Sequence, residues 1–312
     1  MRFIIVSATA VQRHGSLTAL VAFFMIITPA LSLAGGGWIS DPGHGGVRIG
    51  HDWKLQRDAQ RRDIDGELYR SLFNSSYDYE FLYLSGQVGV MKGLEISTLV
   101  TYLWASETVD STAEDRSHFY NGFSDMWFGV KYQIFDGAWP TAIEANIRLP
   151  WLYEGSSILN GQNLTDIPGL LNRDYELNLS VSHSITDRIY ASATGGFRLR
   201  EGAPANQIVF NAEVGGKLPF LDDRFFVKVG IDGAASIGEP GKYTSKDRFP
   251  GLSLERDSHF FDFNNSSYIR PQVGASFAIT PHLDLSAGYS YMSWGHSILV
   301  YDDILLQLGY SF

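Results

Sequence analysis

Alternation of apolar and polar residues with a period of two runs through most of the chain after about residue 77, and it constrains the fold more than any other feature. In Tyr175 to Ile185 the odd positions are apolar or aromatic apart from His183, while the even positions are Glu, Asn or Ser. The segments Ile143 to Trp151 and Ile269 to Ile279 repeat the pattern. Successive side chains of a strand point to opposite faces of a sheet, so this periodicity predicts an all-β protein with two-faced strands.

The connections between these strands distinguish a barrel from a soluble sandwich, whose strands also alternate. Short connections, such as Thr186-Asp187, alternate with longer polar ones along the chain. We predict the longer ones at Thr108 to Asn121, Leu152 to Asn172, Glu201 to Asn206, Gly238 to Asn265 and His296 to Asp302. Outer-membrane barrels have tight periplasmic turns and longer external loops. The sequence therefore predicts a transmembrane up-and-down antiparallel β-barrel in the outer membrane of a Gram-negative bacterium.

The number of strands supports the same interpretation. Eleven strands can be recognised from the second strand onward, and bacterial single-chain barrels have an even number. A first strand is predicted from about Gly46 to Arg57, where Val47 and Ile49 alternate with polar residues. The barrel then has about 12 strands, and Asp58 to Ser76 forms its first external loop.

The chain ends in the alternating sequence LLQLGYSF, which predicts a strand that must pair with the first strand to close the barrel. Leu308, Tyr310 and the terminal Phe312 resemble the C-terminal signal by which outer-membrane barrels are recognised by the barrel assembly machinery. Aromatic residues near strand ends fit the interfacial girdles of such barrels. These residues are Trp53, Trp104, Trp139, Trp151, Tyr190, Trp294 and Tyr310.

The N-terminus predicts export. Arg2 and Arg13 precede an apolar run from Leu17 to Ile27, which is followed by small residues up to Ala34. These features indicate a signal peptide over residues 1–34, then a Gly-rich lead over residues 35–45 that is flexible or forms a small plug, then a barrel over residues 46–312. The chain has no Cys, so disulfides do not hold it together, and its net charge of −10 argues against nucleic-acid binding.

One short stretch resembles a known family. The sequence GFSDMWFGVKYQIF, Gly122 to Phe135, is similar to a motif of the outer-membrane proteins associated with the meta-pathway of phenol degradation. The matching residues are Gly122, Asp125, Gly129, Lys131, Tyr132 and the later pair Leu149-Pro150. Ser124 replaces an expected Gly, and Trp151-Leu152 replaces an expected Thr-Gly. The resemblance implies a transporter that takes up small molecules, among them apolar or aromatic ones.

The polar face of the predicted strands carries many charged residues, which we expect to line the lumen. They are Glu95, Lys131, Glu144, Arg148, Glu176, Arg198, Glu213, Lys217, Lys228, Asp232, Arg270 and Asp284. Opposite charges on neighbouring strands, such as Lys131 and Glu144, can pair and fill the bore of a barrel of this size. Alternatively, the same charges line a narrow polar path and set its selectivity.

Catalytic and metal-binding alternatives have little support. His183 and Ser184 are adjacent in a strand, so their side chains point to opposite faces, and His296-Ser297 lies in a predicted external loop. The other histidines are not at metal-ligand spacing, and we predict a non-enzymatic protein without a cofactor. Arg57, Arg61, Arg62 and Arg70 lie near the predicted outer rim, where they can meet lipopolysaccharide phosphates.

The sequence predicts a channel or transporter that passes small molecules through the outer membrane. The alternative is a structural barrel with a blocked lumen whose external loops bind a partner. An enzyme that modifies lipid at the rim is the third hypothesis.

Overall fold

Twelve long antiparallel strands form the body of the protein. The computed structural model describes residues 36–62, 68–70, 76–111, 114–150, 158–159, 162–163, 173–201, 205–219, 223–237, 266–296 and 298–312. The strands are β1 (Gly45–Arg62), β2 (Ser76–Met91), β3 (Leu94–Ser111), β4 (Glu114–Phe135), β5 (Thr141–Pro150), β6 (Asp174–Ser184), β7 (Ile189–Arg200), β8 (Asn206–Lys217), β9 (Phe225–Ile237), β10 (Ser267–Thr280), β11 (Leu283–Tyr291) and β12 (Ile298–Ser311). Within the described ranges, no helix is long and apolar enough to cross a membrane.

Each strand pairs with its neighbours in the chain, and the last strand pairs with the first. Gly46 lies opposite Ser311, and this register continues to the pair of Gln56 and Tyr301. Beyond this ladder, the Gly45 amide donates to the Phe312 carbonyl at 2.9 Å, and the Phe312 amide donates to the Gly45 carbonyl at 2.9 Å. The sheet is therefore a closed up-and-down barrel, and the predicted fold is confirmed.

The barrel wall has its apolar side chains outside and its polar side chains inside. On β6, Leu177 and Leu179 are 54% and 50% exposed, whereas Ser180 and Ser182 are 2% and 0% exposed. A soluble sandwich would bury the leucines instead. Apolar residues that are exposed all round a closed wall match the lipid-facing band of a membrane barrel, which excludes the sandwich.

Five connections lie at one end of the barrel, between β2 and β3, β4 and β5, β6 and β7, β8 and β9, and β10 and β11. The first contains only Lys92 and Gly93, whose positive φ of 78° suits glycine in a tight turn. The start of β1 and the end of β12 lie at the same end. We call it the short-turn end, and it corresponds to the periplasmic end of outer-membrane barrels.

Three predicted boundaries at the opposite end are wrong. The predicted loop Thr108 to Asn121 is an extension of β3 and β4, which remain paired up to Ser111 and Glu114. The first strand continues to Arg62 and pairs there with Leu68–Arg70, so the predicted loop Asp58 to Ser76 begins later than expected. Likewise, β12 begins at Ile298 inside the predicted loop His296 to Asp302. Polar strands that project beyond a membrane lose the apolar face by which they are recognised in a sequence.

The outer wall also explains His51, which interrupts the apolar pattern of β1. Its ring stacks on Trp53 with the centroids 4.0 Å apart, and its Nε2 lies 3.2 Å from the Glu80 carboxylate. Trp104 lies opposite Glu80 on β3, and its ring centroid is 6.1 Å from that of His51. This polar pair therefore lies among aromatic residues at one height of the outer wall.

Candidate functional site

Two cavities in the lumen are lined by residues that the structure describes. The larger has a volume of about 620 Å³, and its lining includes Phe81, Tyr190 and Phe226 as well as the charged residues Lys54 and Arg270. The smaller has a volume of about 310 Å³, and its lining includes Trp127 and Asn146. Arg48 and Leu99 line both cavities. The candidate site is therefore a space inside the barrel wall that presents aromatic and charged groups together.

Residues 36–44 form a segment that lies inside the short-turn end, and we call it the strap. The Gly37 amide donates to Ser182 Oγ at 2.7 Å, and Lys131 Nζ donates to the Trp38 carbonyl at 2.8 Å. The amide and the hydroxyl of Ser40 both donate to Glu95 Oε2, at 2.9 and 2.6 Å. These contacts reach β3, β4 and β6, so the strap extends from the start of β1 to the opposite part of the wall.

Close packing fixes the path of the strap. A Cβ added to Gly37 would collide with the Pro140 carbonyl, and one added to Gly36 would collide with Ser182 Oγ. Trp38 packs edge-on against Tyr190 with the ring centroids 5.5 Å apart. Gly36 also lines the larger cavity, so the strap forms part of the floor of that cavity. Residues 36–44 of the predicted Gly-rich lead therefore follow the inside of the wall at the short-turn end.

A chain of ion pairs crosses β1, β12, β10 and β9 above the strap. Lys54 Nζ lies 2.9 Å from the Asp52 carboxylate and 2.6 Å from the Asp303 carboxylate. Arg270 contacts Asp303 and also binds Asp232 with Nε at 3.1 Å and Nη2 at 3.2 Å. Two cations alternate with three carboxylates along this chain, so each cation attracts two carboxylates within a few ångströms.

A second group of charges lies on β4 to β7. Arg148 contacts Asp174 at 3.3 Å and Asp125 at 3.7 Å, and Arg200 contacts Asp174 at 3.7 Å. Asp174 is only 2% exposed, so it is a buried carboxylate between two guanidinium groups. This arrangement compensates part of the cost of removing the three charges from water.

A neighbouring pair connects these charges with an aromatic ring. Arg198 binds Glu176 through Nε and Nη2, each at 2.7 Å. The Arg198 guanidinium carbon lies 5.8 Å from the centre of the Trp127 ring, within the range of a cation–π contact. Charged and aromatic groups of the lumen are therefore in direct contact.

The structure brings the predicted lumen residues into several separate groups. Glu95 and Lys131 contact the strap, and Glu144 lies directly opposite Lys131. Glu213 accepts hydrogen bonds from Lys228 at 3.0 Å and from Tyr190 at 2.7 Å. The remaining predicted residues lie apart from these: Glu176 with Arg198, Asp232 with Arg270, Arg148 at Asp174, Asp284 beside Ser286, and Lys217 exposed at the short-turn end.

The sequence analysis missed Arg48, Asp52, Lys54 and Asp303 as lumen residues, and it did not predict the path of the strap. The alternation of β1 contains Arg48, Asp52 and Lys54 on its polar face and could have identified them. Asp303 was missed although it directly follows the predicted loop His296 to Asp302. A Gly-rich segment has no periodicity, so its course could not be predicted.

The candidate dyad His183-Ser184 is not assembled, and the second candidate, His296-Ser297, lies partly outside the described residues. The His183 ring stacks on Trp139 outside the barrel with the centroids 4.2 Å apart, while Ser184 lies opposite Tyr190. The Tyr190 side chain points into the lumen, so its predicted place in an interfacial girdle is wrong. For the other pair, Ser297 lies outside the described residues, and the His296 ring packs against Trp294. Among the residues that the structure describes, no group of three His, Cys, Asp or Glu side chains could hold a metal ion.

The rim residues Arg57, Arg61, Arg62 and Arg70 have side chains outside the described set.

Comparison with known proteins identifies the fold. No family model matches the chain, and no curated protein matches its sequence. The crystal structure of an outer membrane channel from Pseudomonas putida F1 is 12% identical, with a TM-score of 0.58 over 90% of this chain and 100% of that chain. The NanC porin is 9% identical, with a TM-score of 0.49 over 86% of this chain and 100% of the porin. The CymD monoaromatic hydrocarbon channel is 10% identical, with a TM-score of 0.43 over 91% of this chain and 94% of the channel.

The fold is that of a bacterial outer-membrane barrel. The likeness to the Pseudomonas channel extends over the whole of that protein, and at 12% identity it shows the fold alone. The TM-scores of the other two structures are too low to add to it. The predicted outer-membrane location agrees with this fold and with the apolar outer wall. The resemblance to the phenol-degradation family stays a prediction, because no family model matches.

Proposed function

We propose that the protein is an outer-membrane channel that passes small molecules, including molecules with apolar or aromatic parts. The observation that carries this proposal is the cavity of about 620 Å³ inside a closed wall. Its size lies within the range of small-molecule sites. Phe81, Tyr190 and Phe226 offer ring surfaces for an apolar group, while Ser192, Asn211 and Gln272 offer hydrogen bonds for a polar one.

The paired charges of the wall fit a channel that does not select strongly for cations or for anions. Lys54, Arg270, Asp232 and Asp303 neutralise one another along the wall. A ring of one sign would attract counterions and repel solutes of the same sign. A wall of alternating charges instead accommodates neutral polar groups and aromatic faces.

The strap controls passage at the short-turn end in this proposal. It forms part of the floor of the larger cavity, and hydrogen bonds from Gly37 and Ser40 connect it to the wall. A solute that enters from the outside therefore reaches the cavity first and leaves when the strap moves aside. If the strap never moves, it blocks the lumen, and the alternative function of a structural barrel is then favoured.

Solute flux into liposomes tests the proposal. The mature protein is reconstituted, and the entry of phenyl glucoside and of the more polar sucrose is measured by liposome swelling. We expect both to enter above the background of empty liposomes, with phenyl glucoside faster. Background flux for both solutes, from protein shown to be folded by its heat-dependent mobility on gels, would support the blocked barrel instead.

The remaining roles are proposals that follow from a protein of this class. We propose no enzymatic activity, and we propose that lipopolysaccharide and the barrel assembly machinery are its partners. Assembly would recognise the C-terminal strand that ends in Tyr310 and Phe312. Replacement of His296 by Ala should leave lipid composition unchanged, and a loss of lipid turnover in that variant would indicate an enzyme.

A further inference from the structure

Arg48 is a cation on the inner face whose surroundings differ from those of the paired cations. The structure gives Lys54, Arg148, Arg198, Arg200, Lys228 and Arg270 a carboxylate partner each, and it gives Lys131 a carbonyl. The side chain of Arg48 has neither an ion pair nor a hydrogen bond with any residue in the described ranges. Within those ranges the same is true of Lys217, which is exposed at the short-turn end. Arg48 therefore carries a positive charge in the lumen that no carboxylate of the described residues pairs with.

Small residues surround Arg48 and leave its guanidinium open to the lumen. Gly46 and Gly50 precede and follow it on the inner face of β1, and Ser85 and Gly309 lie directly opposite on β2 and β12. None of these residues has a side chain long enough to cover a guanidinium. Because Arg48 lines both cavities, a molecule that moves between them passes its charge.

Aromatic and aliphatic groups lie beside this charge. The Tyr83 ring lies over Gly50, and its hydroxyl donates to Gln307 Oε1 at 2.6 Å, so the ring is held above Arg48. Leu99 lines both cavities. A guanidinium binds a carboxylate through two parallel hydrogen bonds, and the neighbouring rings can cover an apolar group.

We propose that Arg48 is an anion-binding subsite of the lumen, and that the solutes include small carboxylates with an aromatic or aliphatic body. This inference rests on the proposed channel function and names one substrate class for it. The carboxylate binds the guanidinium of Arg48, and the body of the solute occupies the larger cavity against Tyr83.

Asp284 offers a competing explanation, because it lies on the other side of Gly309 from Arg48. Its carboxylate packs on Gly309 and accepts a hydrogen bond from Ser286 Oγ at 3.0 Å. Asp284 is only 4% exposed and does not line either cavity. If Arg48 served only to balance this buried charge, removal of Asp284 would compensate for the loss of Arg48.

Calorimetric titration of the refolded mature protein in detergent tests the subsite, with benzoate as the probe and the uncharged benzamide as its matched control. We expect R48Q to bind benzoate roughly tenfold to a hundredfold more weakly, as for the loss of a charge-assisted hydrogen bond, and to bind benzamide as before. Arg48→Lys should keep part of the affinity, because a lysine retains the charge without the planar geometry. Lys217→Gln removes a positive charge elsewhere on the inner face and should have no effect.

Three results would overturn the subsite. The first is equal benzoate affinity in the wild type and in R48Q, or in R48K if R48Q does not fold. The second is an equal loss in Lys217→Gln, which would indicate diffuse attraction to the whole lumen. The third is a loss of thermal stability in R48Q that Asp284→Asn restores while benzoate binding is unchanged.

Conductance of the wild type in planar bilayers separates this inference from the proposed function. A conducting barrel whose benzoate affinity does not depend on Arg48 refutes the subsite and leaves the channel. A silent barrel that binds benzoate through Arg48 refutes the channel, and the subsite then belongs to a closed ligand-binding barrel.

Discussion

Loosening the strap should open the short-turn end of the barrel. The double variant Glu95→Gln/Ser182→Ala removes the negative charge that accepts two hydrogen bonds from Ser40 and the hydroxyl that accepts one from Gly37. A hydrogen bond to a charged group contributes about 1.5–3 kcal/mol and a neutral one about 1 kcal/mol. Since the substituted amide can still accept a weaker bond from Ser40, we expect a loss of about 2–3 kcal/mol.

This loss has a measurable effect on the population of the open state. A change of 1.4 kcal/mol shifts an equilibrium tenfold, so the ratio of open to closed strap should rise by roughly 30- to 150-fold. Single-channel recording in planar bilayers measures this ratio as the open probability. The conductance of each opening should stay nearly constant, because the wall above the strap is unchanged.

A matched control comes from Ser180, two residues before Ser182 on the inner face of β6. Its hydroxyl is hydrogen-bonded to Thr194 Oγ1 at 2.8 Å and does not contact the strap. The open probability of Ser180→Ala should therefore equal that of the wild type. Equal open probability in the wild type and in the folded double variant would refute the strap as a moving gate.

Three further changes test the wall and its assembly. Leu179→Lys places a charge on the outer face, where a lysine costs about 2–4 kcal/mol at the bilayer midplane, and urea titration in lipid vesicles should show that loss. Arg270→Gln leaves Asp232 and Asp303 without their shared cation. The same titration should show a loss of about 3–5 kcal/mol in the free energy of unfolding, as for a broken buried pair. A loss below about 1 kcal/mol would mean that these ion pairs are well solvated. Deletion of Phe312 should slow assembly in cells, measured by pulse-chase folding, while spontaneous refolding in detergent keeps its rate.

The barrel could be predicted from the sequence because its physical cause is local. Alternation along a strand reports which face meets lipid, and Leu177 and Leu179 are exposed as the pattern of β6 requires. The ends of β3 and β4 could not be predicted, since beyond the membrane neither face of a strand needs to be apolar. Strand parity can suggest which side chains face inward, such as Glu213, but it does not reveal their partners.

The strap shows where sequence reasoning stops. Gly37 reaches Ser182 across 145 positions of the chain, and this contact depends on the closed geometry of the barrel. A glycine-rich segment is compatible with many paths in isolation. Its path becomes unique only when Glu95 accepts hydrogen bonds from it and Lys131 donates one to it, from different strands of the wall.

The strap is covalently attached to β1, and this attachment favours the strap over a free peptide for the same contacts on the wall. His44 is followed directly by Gly45, so the strap cannot move farther from β1 than its own extended length, about 30 Å for nine residues. Its return is intramolecular, and short tethers correspond to effective concentrations on the order of millimolar. A free peptide with the sequence of residues 36–44 would therefore have to be present at such concentrations to replace the strap. Closure of the barrel is thus independent of how much protein the membrane contains.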